Sequence, residues 1–448
     1  MKHLGLLLAG VVTALLSACN HSDYLNAIPE DSKALVAVDV AKMSGLSNPV
    51  LLKSVLHVSD LDKSGLDLSR KIYLFEDAVG NLGLCASVSD AGRLEKTLQA
   101  SGRKIKSKRG FHFTTVNDSW IIGFSDQSML VMGPVTIDAQ AELQNRMALY
   151  LKQDEGSSVR GTPLFDRLDS ISSPMAMVTQ VEALPEKLVA PFTLGAPKNT
   201  DPSEVYIAAG MSISKRHLWI DGETFSFNRK VNEALQQAAK VYRPIKGRYV
   251  RTMDQSAQIG IFMNVAGEQF LPLMKNNAGL QALLTGINAA IDMDNIIRSV
   301  DGDMAIVVPS FSNDRLQLSM AAQLANSKWL ADVDYWKQSC PAGGRIGDWG
   351  QNRFFYQDSH TAFYFGVSED GQFMSGSSKE AALASIAAGA GKGVADPSLH
   401  QMIAGQRMVL LANLKALAGE GSSGAMTQVN EMMRPFFGDV DYVVYRMK

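Results

Sequence analysis

Ile121-Ile122-Gly123-Phe124-Ser125-Asp126 has a counterpart 243 residues later in Tyr364-Phe365-Gly366-Val367-Ser368-Glu369. At the same offset, and without a gap, Leu130 matches Phe373. In both places an apolar strand is followed by a turn, a short strand and a helix-like segment. The sequence therefore predicts one structural unit that is present twice.

A second pattern occurs four times and joins an apolar strand to a helix-like stretch through one polar residue. The polar residues are Asp39, Gln180, Asn264 and Asn413, each followed by Val or Leu. Asp and Asn side chains accept backbone N–H bonds at helix starts. We therefore expect helix caps at these junctions rather than binding residues, because a binding residue would more often keep one type in all four copies.

Strands come mostly in adjacent pairs, with helices after the hairpins rather than after every strand. Residues 72–75 and 82–88 read as a hairpin, followed by a helix with Leu94 and Leu98 on one face. This order predicts an α+β fold, with two tandem repeats of a mainly antiparallel sheet and helices packed on one face. The predicted copies are residues 24–240 and 250–448, joined near residues 242–247, where Pro and Gly interrupt both patterns.

The N-terminus has the form of an export signal. Met1-Lys2-His3 precedes the uncharged run Leu4 to Leu16, which is shorter than the roughly 20 residues of a membrane-spanning helix. The run ends in Leu16-Ser17-Ala18-Cys19, which resembles the lipobox of bacterial lipoproteins. That resemblance implies a signal peptide over 1–18, lipid attachment at Cys19 and a tether over 19–23. The alternative is an ordinary signal peptide in which Cys19 stands by chance.

The residues after Cys19 resemble the opening of a Bacteroidetes lipoprotein family catalogued as domain of unknown function 4836. The resemblance lies in Tyr24 and in Ile28-Pro29-Glu30-Asp31-Ser32-Lys33-Ala34-Leu35-Val36-Ala37-Val38-Asp39. It departs from the family pattern at Ser32, where Ala is frequent. The resemblance implies a cell-envelope lipoprotein and a fold, but no reaction. Asn20, which stands where Asp would favour inner-membrane retention, implies the outer membrane, on either face.

The composition is that of an ordinary globular protein, with 46% hydrophobic and 20% charged residues. The chain has 43 basic and 45 acidic residues, so removing Lys2 with the signal peptide leaves 42 against 45. This small acidic excess argues against nucleic acid as a partner. The remaining cysteines, Cys85 and Cys340, fall in different halves of the chain. We expect them to be unpaired thiols, with a disulfide as the alternative in an exported protein.

The sequence shows no local pattern for catalysis, metal or cofactor binding. The histidines after His21 are never two to four residues apart, which disfavours a metal pair on one helix or strand; they are His57, His112, His217, His360 and His400. No Gly-x-Ser-x-Gly elbow occurs. The acidic clusters Asp292-Met293-Asp294-Asn295 and Asp301-Gly302-Asp303 lack EF-hand spacing and predict a solvated turn. Asp169-Ser170-Ile171 resembles a short O-glycan acceptor motif of Bacteroidetes exported proteins.

These observations favour a non-enzymatic, membrane-anchored protein that binds an envelope protein or a glycan. A periplasmic or surface hydrolase with a site assembled from distant residues is the second hypothesis. A structural component of an envelope complex is the third. A pocket with two convergent carboxylates of shifted pKa would support the hydrolase, whereas a broad exposed apolar patch would support the first hypothesis.

Overall fold

The computed structural model describes residues 23–42, 53, 61–184, 186–277, 280–281, 287–309, 318–387, 398–417 and 440–448. The chain divides into two compact units, unit 1 up to Thr179 and unit 2 from Gln180. The hairpin and helix within residues 206–239 therefore group with unit 2. The predicted copies 24–240 and 250–448 stay a prediction about how the sequence is repeated.

Unit 1 contains one ladder of antiparallel strands. In chain order the strands are β1 (Ala34–Val38), β2 (Ile72–Glu76), β3 (Leu82–Ser87), β4 (Lys106–Lys108), β5 (Phe111–Val116), β6 (Trp120–Phe124), β7 (Ser128–Gly133) and β8 (Met175–Gln180). They pair in the order β8-β1-β2-β3-β7-β6-β5-β4. The hairpin predicted over 72–88 is confirmed as β2 and β3.

Unit 2 contains a longer ladder. Its strands are β9 (Tyr206–Ser214), β10 (His217–Phe225), β11 (Ile259–Ala266), β12 (Val300–Val308), β13 (Ser319–Leu324), β14 (Arg345–Gly350), β15 (Arg353–Gln357), β16 (Ala362–Val367), β17 (Gln372–Gly376), β18 (Met408–Asn413) and β19 (Tyr442–Met447). They pair in the order β9-β10-β19-β18-β11-β12-β13-β17-β16-β15-β14. Of these pairs only β10–β19 is parallel. The mainly antiparallel α+β class is confirmed.

The stretch from β18 to β14 repeats the strand order of unit 1, with β11 to β18 in the places of β1 to β8. The repeat is not gapless, however. Phe124 pairs with Met129 in unit 1, whereas Val367 pairs with Phe373 in unit 2. The second hairpin loop is thus one residue longer, so Phe373 stands in the place of Met129 rather than of Leu130.

Helices follow the hairpins in both units. Unit 1 has α1 (Ala91–Ala100), α2 (Gln140–Lys152) and α3 (Pro163–Asp169) among its described residues, and unit 2 has α4 (Glu186–Phe192), α5 (Arg229–Ala239), α6 (Gly267–Asn276), α7 (Met293–Arg298), α8 (Val333–Gln338), α9 (Lys379–Ala384), α10 (Ser398–Ile403) and α11 (Leu414–Leu417). Within the described ranges, no helix combines the length and the apolar character needed to cross a membrane.

Helix α1 shows how local sequence and packing act together. Asp90 caps its first turn by accepting a hydrogen bond from the backbone N–H of Arg93 at 2.8 Å. Leu94 and Leu98, one turn apart, are fully buried, as predicted. Each such leucine contributes about 2 kcal/mol by burial. Gly102, with φ of 83°, then turns the chain away from the helix.

The four strand-to-helix junctions divide into two kinds. Asp39 accepts a hydrogen bond from the N–H of Lys42, and Asn413 accepts one from the N–H of Ala416, so both act as the predicted caps. Gln180 makes no capping bond, and its amide donates to the Tyr206 hydroxyl. Asn264 does not cap the following helix either. The capping prediction is wrong for these two residues, because side chains from other elements compete for them.

Candidate functional site

Strands β15 and β16 each contain three consecutive aromatic residues, Phe354-Phe355-Tyr356 and Phe363-Tyr364-Phe365. Successive side chains of a strand point to opposite faces. The first and last residues of each run are buried, whereas the middle residues, Phe355 and Tyr364, are only partly buried. Phe355 lies directly opposite Tyr364, and their ring centroids are 5.7 Å apart. This pair therefore forms part of a face that the core does not cover.

The inner face of the same strands is occupied by tryptophans. Trp329 and Trp336 stack on each other with centroids 6.0 Å apart, and both contact Phe365. Both tryptophans are buried, so they belong to the packed core. The sheet thus separates a filled aromatic core from an outer aromatic pair.

A β-bulge adds a third ring to the outer face. The register of β14 with β15 shifts between Asp348 and Gly350, so Trp349 is the extra residue. A bulge re-aims a side chain in this way and is common beside functional sites. The Trp349 indole donates a 2.7 Å hydrogen bond to the Phe354 carbonyl. Its ring meets the edge of Tyr364 at a centroid distance of 6.2 Å.

Two arginines stack on these rings. The Arg345 guanidinium lies over Phe355 at 5.2 Å from the ring centroid, and the Arg353 guanidinium lies over Trp349 at 5.4 Å. Cation–π contacts of this kind hold a guanidinium beside a ring while its N–H groups can still donate hydrogen bonds. We call the set Arg345, Trp349, Arg353, Phe355 and Tyr364 the aromatic face.

The two guanidiniums of the aromatic face differ from several other described arginines of unit 2, which form ion pairs. Among the residues that the structure describes, neither pairs with a carboxylate. Arg345 has a marginal contact of 3.5 Å with the Gln357 amide oxygen, and the buried Nε of Arg353 has no hydrogen-bond partner. By contrast, acidic residues neutralise Arg216, Arg243, Arg248, Arg298 and Arg446. The aromatic face therefore carries two cations without internal anions.

Backbone features fix the borders of the aromatic face. Gly347 lies opposite Phe355, and a Cβ at Gly347 would come within 2.6 Å of the Phe355 ring. The missing side chain lets that ring lie flat across β14. On the other side, Gly376 is paired with Tyr364 and is covered by Ala381 of α9. Helix α9 thus covers β17 on this face and leaves the rings on β14 to β16 partly open.

The corresponding strands of unit 1 lack this arrangement. Strand β4, in the place of β14, is only Lys106–Lys108. In β5, His112 stacks on Phe124 at 5.0 Å and lies 3.5 Å from the Ser107 hydroxyl. The aromatic face is therefore particular to unit 2 and does not follow from the repeated scaffold.

Comparison with known proteins identifies the chain at the level of its family. Residues 24–443 match the family described as "Domain of unknown function (DUF4836)". The chain belongs to this family. No curated protein matches the sequence.

The chain also has distant similarity to solved structures of TP0453. The crystal form IV structure is 10% identical, with a TM-score of 0.27, and the match covers 43% of this chain and 76% of that chain. The crystal form I structure is 9% identical, with a TM-score of 0.25, and the match covers 82% of this chain and 97% of that chain. These scores are too low to carry a structural argument.

Some residues singled out in the sequence lie beyond the described part of the chain. They are Cys19, His57 and the side chain of His400. His217 is buried and packs against Trp219 and Tyr442. Throughout the described ranges, no three His, Cys, Asp or Glu side chains come together in a way that could hold a metal ion.

The acidic clusters 292–295 and 301–303 lie at a helix start and in a strand rather than in the solvated turn that their composition predicts. Asp292 caps α7, and Asp303 lies within β12 and is only 2% exposed. The Asp303 carboxylate accepts bonds from the backbone N–H groups of Lys246 and Arg248 and from the amide of Asn264. These three bonds compensate the loss of solvation. Asp303 is therefore a structural residue that joins the chain near residue 246 to the sheet.

A cavity of about 490 Å³ lies at the ends of β18 and β19 in unit 2. Its lining includes Asn413, Lys415 and Asp441. Burial alone would raise the pKa of Asp441, but hydrogen bonds from Arg216 and Lys415 outweigh it and lower the pKa. This carboxylate stays ionised and is neutralised, so it is not suited to donate a proton as a general acid.

Cys85 and Cys340 are free thiols, as expected from the sequence.

Ser170, in the short acceptor-like motif, lies exposed at the end of α3. Its hydroxyl donates to the Arg167 carbonyl at 2.7 Å and accepts from the Arg167 guanidinium at 3.0 Å. Glycosylation of Ser170 stays a prediction.

The aromatic face was missed at the level of sequence, although a signal was present. A half-buried strand alternates apolar and polar residues, so three aromatic residues in a row must place one ring on the outer face. Both β15 and β16 carry such a run. The partnership with Trp349 and the arginines depends on strand pairing and on the bulge, which no local pattern reveals.

Proposed function

We propose that this protein is a non-catalytic binding protein of the cell envelope, held at a membrane by lipid on Cys19, with the aromatic face as its ligand-binding surface. The observation that carries the proposal is the pair of guanidiniums stacked on aromatic rings without a carboxylate partner among the described residues. Exposed aromatic and arginine side chains are the groups that most often dominate binding energy.

The start of the described chain supports a short tether. Tyr24 and Leu25 are buried, and the Tyr24 hydroxyl donates a 2.8 Å hydrogen bond to the Lys71 carbonyl. The body thus begins at residue 24, close after Cys19. A lipid on Cys19 would hold unit 1 near the membrane surface. Asn20 favours the outer membrane by resemblance to other lipoproteins.

The chemistry of the aromatic face supports binding rather than catalysis. Guanidinium groups remain protonated at all ordinary pH values, so they neither accept nor donate protons in a reaction. The face has no hydroxyl, thiol or imidazole that a neighbouring base could activate, apart from the Tyr364 phenol. It can attract and orient an anion, which is the property of a recognition surface.

Capture of native envelope material tests this proposal. The full-length lipidated protein, purified in detergent, is incubated with an envelope extract of its own source. We expect the wild-type protein to retain a glycan or a protein that Arg345→Ala and Tyr364→Ala each lose. The matched controls are Arg229→Ala and Tyr335→Ala, at sites 93% and 69% exposed elsewhere in unit 2.

Equal capture by all four variants would contradict the aromatic face as the binding surface. Turnover of a captured glycan or peptide by the purified protein would favour the hydrolase hypothesis instead. A stable stoichiometric assembly that is insensitive to every one of these variants would favour a structural component of an envelope complex.

A further inference from the structure

We infer that the ligand of the aromatic face is an acidic polysaccharide that carries uronate carboxylates. This inference rests on the proposed function and names the class of ligand for the same surface. It is carried by the order of side chains on the face, in which two cations flank three aromatic rings.

The rings form a continuous row. Phe355 contacts Tyr364 at 5.7 Å, and Tyr364 contacts Trp349 at 6.2 Å between centroids. Tilts of 31° and 72° between these ring planes give a stepped surface rather than a flat stack. A pyranose ring presents its axial C–H groups to an aromatic plane, and the electron-rich face of the ring attracts them. The guanidiniums lie over Phe355 and Trp349, so the partly buried Tyr364 ring between them is the one on which a sugar residue of an extended chain can stack.

The arginines lie at opposite ends of this row, because Arg345 contacts Phe355 and Arg353 contacts Trp349. Arg345 pairs with Gln357 and Arg353 pairs with Gly366, whereas Phe355, between them, pairs with Tyr364. Measured along the strand direction, the backbone positions of the two arginines are therefore four residues apart, which is about 13 Å at the usual rise per residue. Each guanidinium offers two parallel N–H donors, which match one carboxylate.

Charge complementarity favours a glycan over a nucleic acid. A nucleic acid carries a phosphate at every residue, and its binding needs an extended basic surface. The chain has a formal net charge of −2, and the aromatic face contributes two cations. Carboxylates spaced along a sugar chain match two arginines between which partly buried, uncharged rings lie.

The test measures binding of defined polymers to the full-length lipidated protein in detergent by calorimetry. The probes are oligomers of polygalacturonate, alginate and a glucuronate-containing polymer, each beside its methyl-esterified form. We expect at least one acidic polymer to bind and its ester to bind about tenfold more weakly or not at all. We also expect the affinity to fall in about 0.5 M salt, because exposed charges are screened.

The variants separate the two kinds of contact. Arg345→Ala should weaken binding of the acidic polymer about tenfold and leave binding of the ester unchanged. Tyr364→Ala should weaken both. Arg229→Ala and Tyr335→Ala should change neither, and circular dichroism melting checks that all four variants are folded.

Three results would overturn the inference: binding of none of the three acidic polymers, equal binding of acid and ester, or binding that is insensitive to Arg345→Ala. Polyglutamate and vesicles of anionic phospholipid are included as further probes. Equal or tighter binding of either one, with the same sensitivity to the variants, would assign the face to an acidic peptide or a lipid headgroup. The proposed function survives such a failure if the face variants still lose native envelope material, and falls only if they do not.

Discussion

At the scale of single residues, burial decides what a charged or polar side chain does. Asp303 and Asp301 are two residues apart in β12, yet Asp303 is 2% exposed and Asp301 lies at the surface in an ion pair with Arg243. Alternation along the strand places the two carboxylates on one face of the sheet. The backbone near Lys246 covers Asp303 but not Asp301. The sequence offers the two carboxylates as equivalent, whereas packing gives one a structural role.

Replacing Asp303 by Ala should lower the free energy of unfolding by about 3 kcal/mol, because it leaves one buried and two partly buried donors without an acceptor. Asp301→Ala is the matched control and should cost less than about 1 kcal/mol, since exposed ion pairs contribute little. Urea denaturation of both variants measures the difference. Similar losses for the two variants would contradict the structural role of Asp303.

The thiols should differ sharply in reactivity. Cys85 is fully buried and donates to the Tyr24 carbonyl, and its burial raises the pKa of the thiol. Cys340 is partly exposed. We expect a thiol reagent to label Cys340 in the native protein and Cys85 only after unfolding. In denaturant, two thiols should titrate if Cys19 carries lipid, and three if it does not. Rapid native labelling of Cys85 would contradict its burial.

At the scale of elements, the turn between β15 and β16 holds the strands of the aromatic face together. Asp358 in that turn accepts a 2.7 Å hydrogen bond from the Tyr356 hydroxyl and bonds from the backbone N–H groups of His360 and Thr361. The bond from Tyr356, followed by the backbone bonds, lowers the pKa of Asp358. Burial, followed by this bond, raises the pKa of Tyr356 to about 12.

The lowered pKa of Asp358 gives a pH-dependent contribution to stability. Because the folded state favours the carboxylate, the contribution is fully present above the ordinary carboxyl pKa and is lost as the pH falls through the folded value. Tyr356→Phe should therefore lower the melting temperature at neutral pH, by an amount equivalent to about 1 kcal/mol or less. The difference in melting temperature between Tyr356→Phe and the wild-type protein should shrink as the pH falls. A gap that is constant down to strongly acid pH would contradict this account.

At the scale of the whole molecule, the two units repeat one strand order but differ in what their edges display. In unit 1 the edge strand β4 is three residues long, with two lysines, which discourages pairing with another chain. In unit 2 the edge strand β14 carries the Trp349 bulge and Arg345. The scaffold is thus shared, whereas the candidate binding surface has been built on one copy of it.

Replacing Cys19 by Ala should release the protein from membranes without unfolding it, because the described body starts at residue 23 and stands on its own core. Fractionation of cells should find the wild-type protein with the membranes. Metabolic labelling with a fatty acid should mark the wild-type protein and not Cys19→Ala. A variant that still incorporates the label would contradict lipid attachment at Cys19.

Local sequence was enough to locate the hairpins and helices, because strand alternation and helix periodicity are short-range properties. Residues 72–88 were predicted as a hairpin, and Leu94 and Leu98 as the buried face of a helix, from nothing more than spacing. The α+β class followed from the order of elements, whereas the family was identified by the resemblance of the residues that start the body to a known family.

Only the tertiary structure decided the strand order, the burial of Asp303 and the aromatic face. Each depends on residues far apart in the sequence, such as Phe355 and Tyr364 on paired strands or Asp303 and Lys246. The similar stretches that begin at Ile121 and Tyr364 predicted two copies of one strand. They did not predict that the second copy would lie beside Trp349. Pairing register and a single bulge determine which side chains meet, and neither is encoded in a local pattern.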